Sequence, residues 1–275
     1  MNIAIIGCGY VGYAAANFWQ QQMTHIVTAT TTTPAKTSQL QTVAQRVVVL
    51  TGDDVDGIKS VLKNQDIVLL SIAAGRGGNY EKTYLETAKN IVSIVSQCPH
   101  LKQIIYTSSC SVYGEQNGRL VTEDTPLSPM SQSAEILSQT EQVLLTGANP
   151  HLHVCILRLG GIYGPNRELV KIYGRVAGQN RPGNGNEPAN WIHLDDIISG
   201  IEFAKNHHLQ GIYNLVDDAN LTSKEIIHQV CTVHNLPPVT WDASQKSQRM
   251  YHAKISNQKL KDAGYQLTHP QMIFS

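Results

Sequence analysis

The feature that narrows the fold most is a turn near the start of the chain, Gly7-Cys8-Gly9-Tyr10-Val11-Gly12. It stands directly after the apolar run Asn2-Ile6 and directly before a helix-length stretch, Val11-Gln21. In such a strand–turn–helix, Gly7 permits the tight turn and Gly9 lets the backbone approach a pyrophosphate. Gly12 lets the helix pack close to the strand. The helix N-terminus adds amide donors and a partial positive charge, the two things an anion needs. Cys8, Tyr10 and Val11 fill the positions between the glycines and count with them as cofactor-contacting residues. The plainer alternative is an ordinary β–α turn that binds nothing.

The rest of the chain continues the alternation this turn begins. Asn2-Ile6, His25-Thr30, Arg46-Leu50, Asp66-Ile72, Gln103-Ser109 and His153-Leu159 are brief, rich in Val and Ile, and bounded by turn residues. Strands covered on both faces have that character. Val11-Gln21, Tyr80-Ser96 and Ser133-Thr146 carry helical spacing; in the last, Ile136, Val143 and Leu144 share a face. Strands alternating with helices call for an α/β fold, a doubly wound parallel sheet with right-handed crossovers. We expect a dinucleotide-binding core over residues 1–160. A smaller part, 161–275, completes the sheet and forms a substrate cleft over Ser109. Within it, Gly178-Pro188 is a flexible loop by composition. Asp195-Lys205 as helix, Gly211-Val216 as strand and Thr222-His234 as helix follow.

Composition excludes several other classes. A chain of 275 residues with formal net charge zero offers no basic face to nucleic acid or to an anionic membrane. Five scattered cysteines, Cys8, Cys98, Cys110, Cys155 and Cys231, suggest no disulfide framework and fit a reducing cytosol. Cys231 and His234 form a C-x-x-H with no second ligand pair, so no metal site is expected. Met1-Trp19 is apolar, but no Lys or Arg precedes it and three glycines interrupt it, unlike a secretory leader. No membrane span is expected and the cytoplasm is the expected location.

The same residues bear on the choice of dinucleotide. An NAD site places Asp or Glu about 20 residues after the glycines, where it bonds the ribose 2′-hydroxyl. Here the first acidic residue is Asp53, and the second strand ends in Thr28-Ala29-Thr30-Thr31-Thr32-Thr33, followed by Pro34 and Lys36. Hydroxyls and a lysine accept a 2′-phosphate that a carboxylate would repel, so NADP is favoured over NAD, with Thr30 and Thr31 at that end. The plainer alternative is that the threonines satisfy a loop. Asp53 either meets the adenine edge or caps the next helix. Ala73 and Ala74 leave room for the dinucleotide after the fourth strand, and Arg76 covers it.

Four further stretches carry a resemblance. They are Tyr106-Thr107-Ser108-Ser109-Cys110-Ser111-Val112-Tyr113-Gly114 and Leu157-Arg158-Leu159-Gly160-Gly161-Ile162-Tyr163-Gly164-Pro165. Trp191-Ile192-His193-Leu194-Asp195-Asp196 and Tyr213-Asn214-Leu215-Val216-Asp217-Asp218 complete the set. With the glycine turn, and in this order, they resemble the NAD-dependent epimerase/dehydratase family of the extended short-chain dehydrogenase/reductase superfamily. The resemblance implies that Ser109 hydrogen-bonds a substrate carbonyl or hydroxyl and that Ser108 belongs to the cofactor wall. It also implies a Y-x-x-x-K pair on the next helix, whose lysine holds the nicotinamide ribose and lowers the tyrosine pKa from about 10.

This chain departs from that pattern. Glu141 fits the glutamate that follows the lysine by four, which puts Leu137 in the lysine position and Ser133 in the tyrosine position. No tyrosine anywhere has a lysine four residues later. Tyr113, Tyr163 and His193 are the remaining candidates for the proton. For the tyrosines the plainer role is packing with a bonded hydroxyl; for His193 it is capping and anchoring a loop. Arg158 either contacts an anionic substrate or pairs with a carboxylate.

By the resemblance, the expected function is that of an atypical NAD(P)-linked oxidoreductase or epimerase-like protein. A nucleotide sugar or similar polar metabolite is its expected substrate. The alternative is a non-catalytic NADP-binding redox sensor or regulatory protein. A channel-gating dinucleotide module fits the glycine turn but not the Ser109 and Arg158 motifs. The expected partners are a small-molecule substrate or regulatory dinucleotide, and a homodimer is compatible with the pattern.

Overall fold

A computed structural model describes residues 1–23, 25–75, 77–247 and 251–275. They form two compact units. The first holds Met1–Ser109, Ser131–Arg158 and Ile198–Tyr213; the second holds Cys110–Met130, Leu159–Ile197 and Asn214–Ser275. Arg76, expected over the dinucleotide, lies outside the described residues.

The first unit is built on strands β1 (Asn2–Ile6), β2 (Ile26–Thr31), β3 (Arg46–Val49), β4 (Ile67–Leu70), β5 (Gln103–Ser109) and β6 (His153–Leu159). With β7 (Gly211–Leu215) they form a seven-stranded sheet in the order β7-β6-β5-β4-β1-β2-β3. β1 pairs in parallel with both β2 and β4, and β2 with β3 and β4 with β5 are parallel as well. The order reverses at β1, between β4 and β2, the point where ligands bind in open α/β sheets. Ala4, Ile5, Val68, Leu69, Ile104 and Ile105 are fully buried. Alternate residues of one strand point to opposite faces, so these pairs show the sheet covered on both sides.

Helix α1 (Tyr10–Gln21) follows the glycine turn, α2 (Val55–Leu62) follows β3, and α3 (Thr87–Ile94) follows β4. Helix α4 (Gln132–Thr146) precedes β6. α1 buries Val11, Ala15, Ala16 and Trp19 at helical spacing, and the Trp19 indole donates to Glu202 at 2.7 Å. Full burial of a side chain of this kind contributes about 1.5–3 kcal/mol. α2 is capped by Asp54, whose carboxylate accepts the Gly57 N–H at 2.8 Å. Asp53, the residue read as a possible cap in the sequence, is thus one position too early. The helix expected over Tyr80-Ser96 is not uniform. Its first part, Glu81–Glu86, is wound as a π-helix before α3 begins. Such widened turns occur often at functional sites.

The second unit contains three short parallel pairs. Gly161–Tyr163 runs beside Trp191–His193, Asn180–Pro182 beside Thr240–Asp242, and Leu120–Val121 beside Lys254–Ile255. The stretch expected as a flexible loop, Gly178-Pro188, therefore supplies a strand. Helix α5 (Leu194–Asn206) follows Trp191–His193 directly, and helix α6 (Ser223–Val233) opens with a full capping box between Thr222 and Glu225. Ile226 and Val230 of α6 pack with Tyr163, Leu169, Ala189 and Met272. Among the described residues, no helix is long and apolar enough to cross a membrane.

Candidate dinucleotide site

The turn between β1 and α1 is tied to β2 by two bonds. The Gly7 N–H donates to Thr30 Oγ1 at 3.1 Å, and the Cys8 N–H to the Thr30 carbonyl at 2.8 Å. Gly7 sits at φ +85°, and a Cβ there would come within 2.6 Å of Ile72 Cγ2 and 2.8 Å of the Ile72 Cα. A Cβ at Gly12 would lie 2.8 Å from the Gly7 carbonyl oxygen. Both positions need glycine for the fold itself. Gly9 differs: a Cβ there would meet nothing within 4 Å, and its φ of −91° lies outside the left-handed region. The bare face of Gly9 therefore borders free space directly above the start of α1. That helix has no side-chain cap and no acidic residue in its first turn. Amide donors and the positive helix end thus face an uncrowded spot, the environment a pyrophosphate requires. Cys8 is buried, which pushes its thiol up to about 12 against a weaker opposing pull from Lys36. It is an inert thiol that packs.

Beside the turn lies a pocket of about 190 Å³, lined by Gly7, Thr30, Thr31, Thr32, Asp53 and Lys82 among others. It occupies the carboxyl ends of β1, β2 and β3. Its hydroxyls are unequally available. Thr30 Oγ1 accepts from Gly7 and Thr31 Oγ1 accepts from the Thr33 N–H at 3.1 Å. Both threonine oxygens thus support the loop, and each hydroxyl keeps its own O–H as a donor. Asp53 pairs with Lys82 at 2.9 Å on the rim. A hydrogen bond from Thr51, with the Lys82 ammonium, holds its carboxyl down to about 2. Ala73 is exposed and Ala74 half-buried beyond β4, with the Ala74 N–H 3.4 Å from the hydroxyl of Tyr84. Tyr84 belongs to the π-helical turn and was not singled out in the sequence.

On α4 the positions of the expected pair carry no acid–base group. Ser133 Oγ lies 3.0 Å from Ser131 Oγ, and Ser131 caps the helix through the Ala134 N–H. Leu137 is buried. One turn on, Glu141 is 1% exposed and meets Arg158, 2% exposed, through three hydrogen bonds of 2.6–3.1 Å. Ser108 donates its hydroxyl to the same carboxylate at 2.5 Å. Of the two roles considered for Arg158, pairing with a carboxylate is the one realised. Ser108, expected in the cofactor wall, commits its hydroxyl to Glu141 inside the unit. Ser109, at the end of β5, is half-buried.

The other candidate proton donors lie in the second unit. Tyr113 is fully buried and donates to Asn214 Oδ1 at 2.7 Å. Tyr163 accepts the Ile273 N–H at 3.2 Å and stands edge-on to Trp191 and His193. Burial pushes its phenol up to about 12. His193 Nδ1 accepts the Asp195 N–H at 3.2 Å at the start of α5, the capping role already weighed for it. Burial depresses its pKa, and Asp195 opposes that only in part.

Sequence reasoning missed a second pocket, of about 470 Å³, wholly within this unit. Trp191, Trp241, Tyr173, Tyr251, Arg181 and Glu187 line it. The Arg181 guanidinium lies 6.0 Å from the Trp241 ring centre, and its buried Nε has no hydrogen-bond partner among the described residues. A buried N–H without an acceptor is costly, and an anionic ligand would supply one. The short pairings that bring these residues together leave no periodic trace in the sequence.

Comparison with known proteins agrees with this geometry. A model of the NAD dependent epimerase/dehydratase family matches residues 3–215. Protein YeeZ of Escherichia coli K12 is 30% identical over 252 residues, covering 86% of this chain and 85% of that protein. Among solved structures, a functionally unknown conserved protein from Silicibacter pomeroyi DSS superposes with a TM-score of 0.78 at 22% identity. That superposition covers 98% of this chain and 94% of the other. The UDP-glucose 4-epimerase of Thermus thermophilus, in complex with NAD, gives a TM-score of 0.78 at 18% identity, over 97% and 94% of the two chains. At these identities the two structures bear on the fold alone.

Proposed function

The chain belongs to the NAD-dependent epimerase/dehydratase family, and on that premise we propose that it binds NADP. We further propose that it serves as an atypical oxidoreductase or epimerase-like protein on a nucleotide sugar or similar polar metabolite. The observation that carries this reading is the open face of Gly9 over an uncapped helix start, beside a pocket at the carboxyl ends of β1, β2 and β3. Gly7, Gly9 and Gly12 would admit the pyrophosphate and the 190 Å³ pocket the adenosine end. Preference for the 2′-phosphate rests on the absence of any acidic residue before Asp53 and on exposed Thr32, Thr33 and Lys36 after β2. When bound, the dinucleotide supplies hydride exchange at its nicotinamide.

The substrate class is supported by two things. The structurally similar Thermus protein is a UDP-glucose 4-epimerase. The second unit's pocket joins aromatic faces to an arginine whose Nε lacks an acceptor among the described residues, a pairing that suits a base or sugar carrying a phosphate. Ser109 would hold the substrate oxygen.

A second reading, a redox sensor that binds without turnover, is favoured by one specific observation. Ser133 and Leu137 provide neither a phenol nor an ammonium, and the neighbouring Glu141 is closed off by Arg158 and Ser108. The two readings separate by absorbance of bound NADPH against a panel of nucleotide sugars and carbonyl metabolites, in the wild type and in Ser133→Tyr with Leu137→Lys. Turnover in the wild type supports the enzyme. Turnover only in the double variant supports a sensor with an intact surrounding site, and none in either supports a repurposed cleft.

A further inference from the structure

The start of α5 and the tail of the chain bring together three potential ligands that lie up to 76 residues apart. His193, Asp195 and His269 each present one ligand atom, and these atoms all lie within 4.8 Å of one another. We propose that this cluster is a binding site for a divalent transition-metal ion of the zinc type.

Two edges of the triangle already have the right length. His193 Nδ1 is 3.5 Å from Asp195 Oδ2, and His269 Nε2 is 3.2 Å from the same oxygen. Tetrahedral zinc, with bonds of 2.0–2.2 Å to nitrogen and oxygen, separates its ligands by about 3.4 Å. The third edge, nitrogen to nitrogen, is no longer than 4.8 Å, and the centres of the two rings lie 4.2 Å apart. The Nε2 end of His193 is packed toward Gly164, where an added Cβ would come within 3.3 Å, so Nδ1 is the nitrogen turned to the carboxylate. Its 3.2 Å bond from the Asp195 N–H is long, and an incoming cation replaces it.

The donor set selects the ion. Two imidazoles and one carboxylate suit zinc and its neighbours, whereas magnesium and calcium require oxygen ligands. The support around the site is already built. Asp196 accepts the Thr268 and His269 N–H groups at 2.6 and 3.0 Å, and the Tyr265 hydroxyl donates to the Asp196 carbonyl at 2.8 Å. Three protein ligands leave one position open on the side where Asp195 is exposed. The ion would therefore fasten the tail to the start of α5 while keeping a site for water or an oxygen ligand.

The test uses the full chain, free of any affinity tag and stripped with a chelator, titrated calorimetrically with zinc chloride. Wild type, His269→Ala and Asp195→Asn are compared, with thermal melting of each in the presence and absence of zinc. One equivalent bound by the wild type, at least about tenfold weaker in each variant, is the expected result. A zinc-dependent rise in Tm confined to the wild type accompanies it. Cobalt(II) in the same site should show the intense visible bands of a tetrahedral complex. No zinc binding, or binding equally strong in both variants, would overturn the assignment. Circular dichroism of the apo variants keeps loss of the fold apart from loss of a ligand.

Discussion

The three glycines of the turn do different work, and substitution separates them. Gly7→Ala places a side chain at φ +85° against the backbone of Ile72. We expect a loss of about 1–3 kcal/mol or more in urea denaturation. Gly9→Ala meets open space, so its Tm should stay at the wild-type value while dinucleotide affinity in calorimetry drops by tenfold or more. The glycine spacing was readable in the sequence because each position has its own geometric demand. The backbone partners of Thr30 and Thr31 were not, because a hydroxyl's partner depends on tertiary packing, here Gly7 and Thr33. Asp217 entered only as part of the Tyr213-to-Asp218 stretch, with no role of its own. Burial pushes its carboxyl up to about 7, and its Oδ2 has no partner among the described residues. The folded state holds this proton to a higher pH than the unfolded one, whose value is about 3.9. Stability therefore falls as pH rises from about 4 to about 7, by at most roughly 4 kcal/mol. Urea denaturation should show Asp217→Asn flattening that slope and stabilising the protein at about pH 8.

Helix α4 shows what an element gains and loses when its chemistry is absent. Its docking relies on Glu141, buried with Arg158 and Ser108. Arg158→Ala leaves an unpaired buried carboxylate, and denaturation should reveal a loss of about 3–5 kcal/mol. An Arg158 that served substrate alone would change turnover and leave stability untouched. Sequence spacing located Glu141 and the missing pair on this helix. It could not choose Arg158's partner, since 17 positions separate the two residues and only the packing of α4 on the sheet joins them. The strands β1, β5 and β6 came out at their observed limits because parallel strands buried on both faces read as short, largely apolar runs bounded by turn residues. The three-residue pairs of the second unit are too short for any period, and one of them lies in a glycine- and asparagine-rich stretch that reads as loop.

At the level of the whole chain, the sheet order and the turn at its switch point lead to a dinucleotide, and the family match agrees. The interleaving of the two compact units was not legible, because Cys110–Met130 joins the second unit and Ile198–Tyr213 the first through contacts distant in sequence. On the proposed function, Gly9 and the start of α1 receive a dinucleotide carrying a 2′-phosphate. Calorimetric titration of the full chain with NADP, NADPH, NAD and NADH, alongside Gly9→Ala, tests it most directly. One equivalent of NADP or NADPH should bind, tighter than NAD or NADH, and more weakly to Gly9→Ala at unchanged Tm. Tighter binding of NAD and NADH would contradict the cofactor choice, and no binding of any of the four would contradict the claim itself.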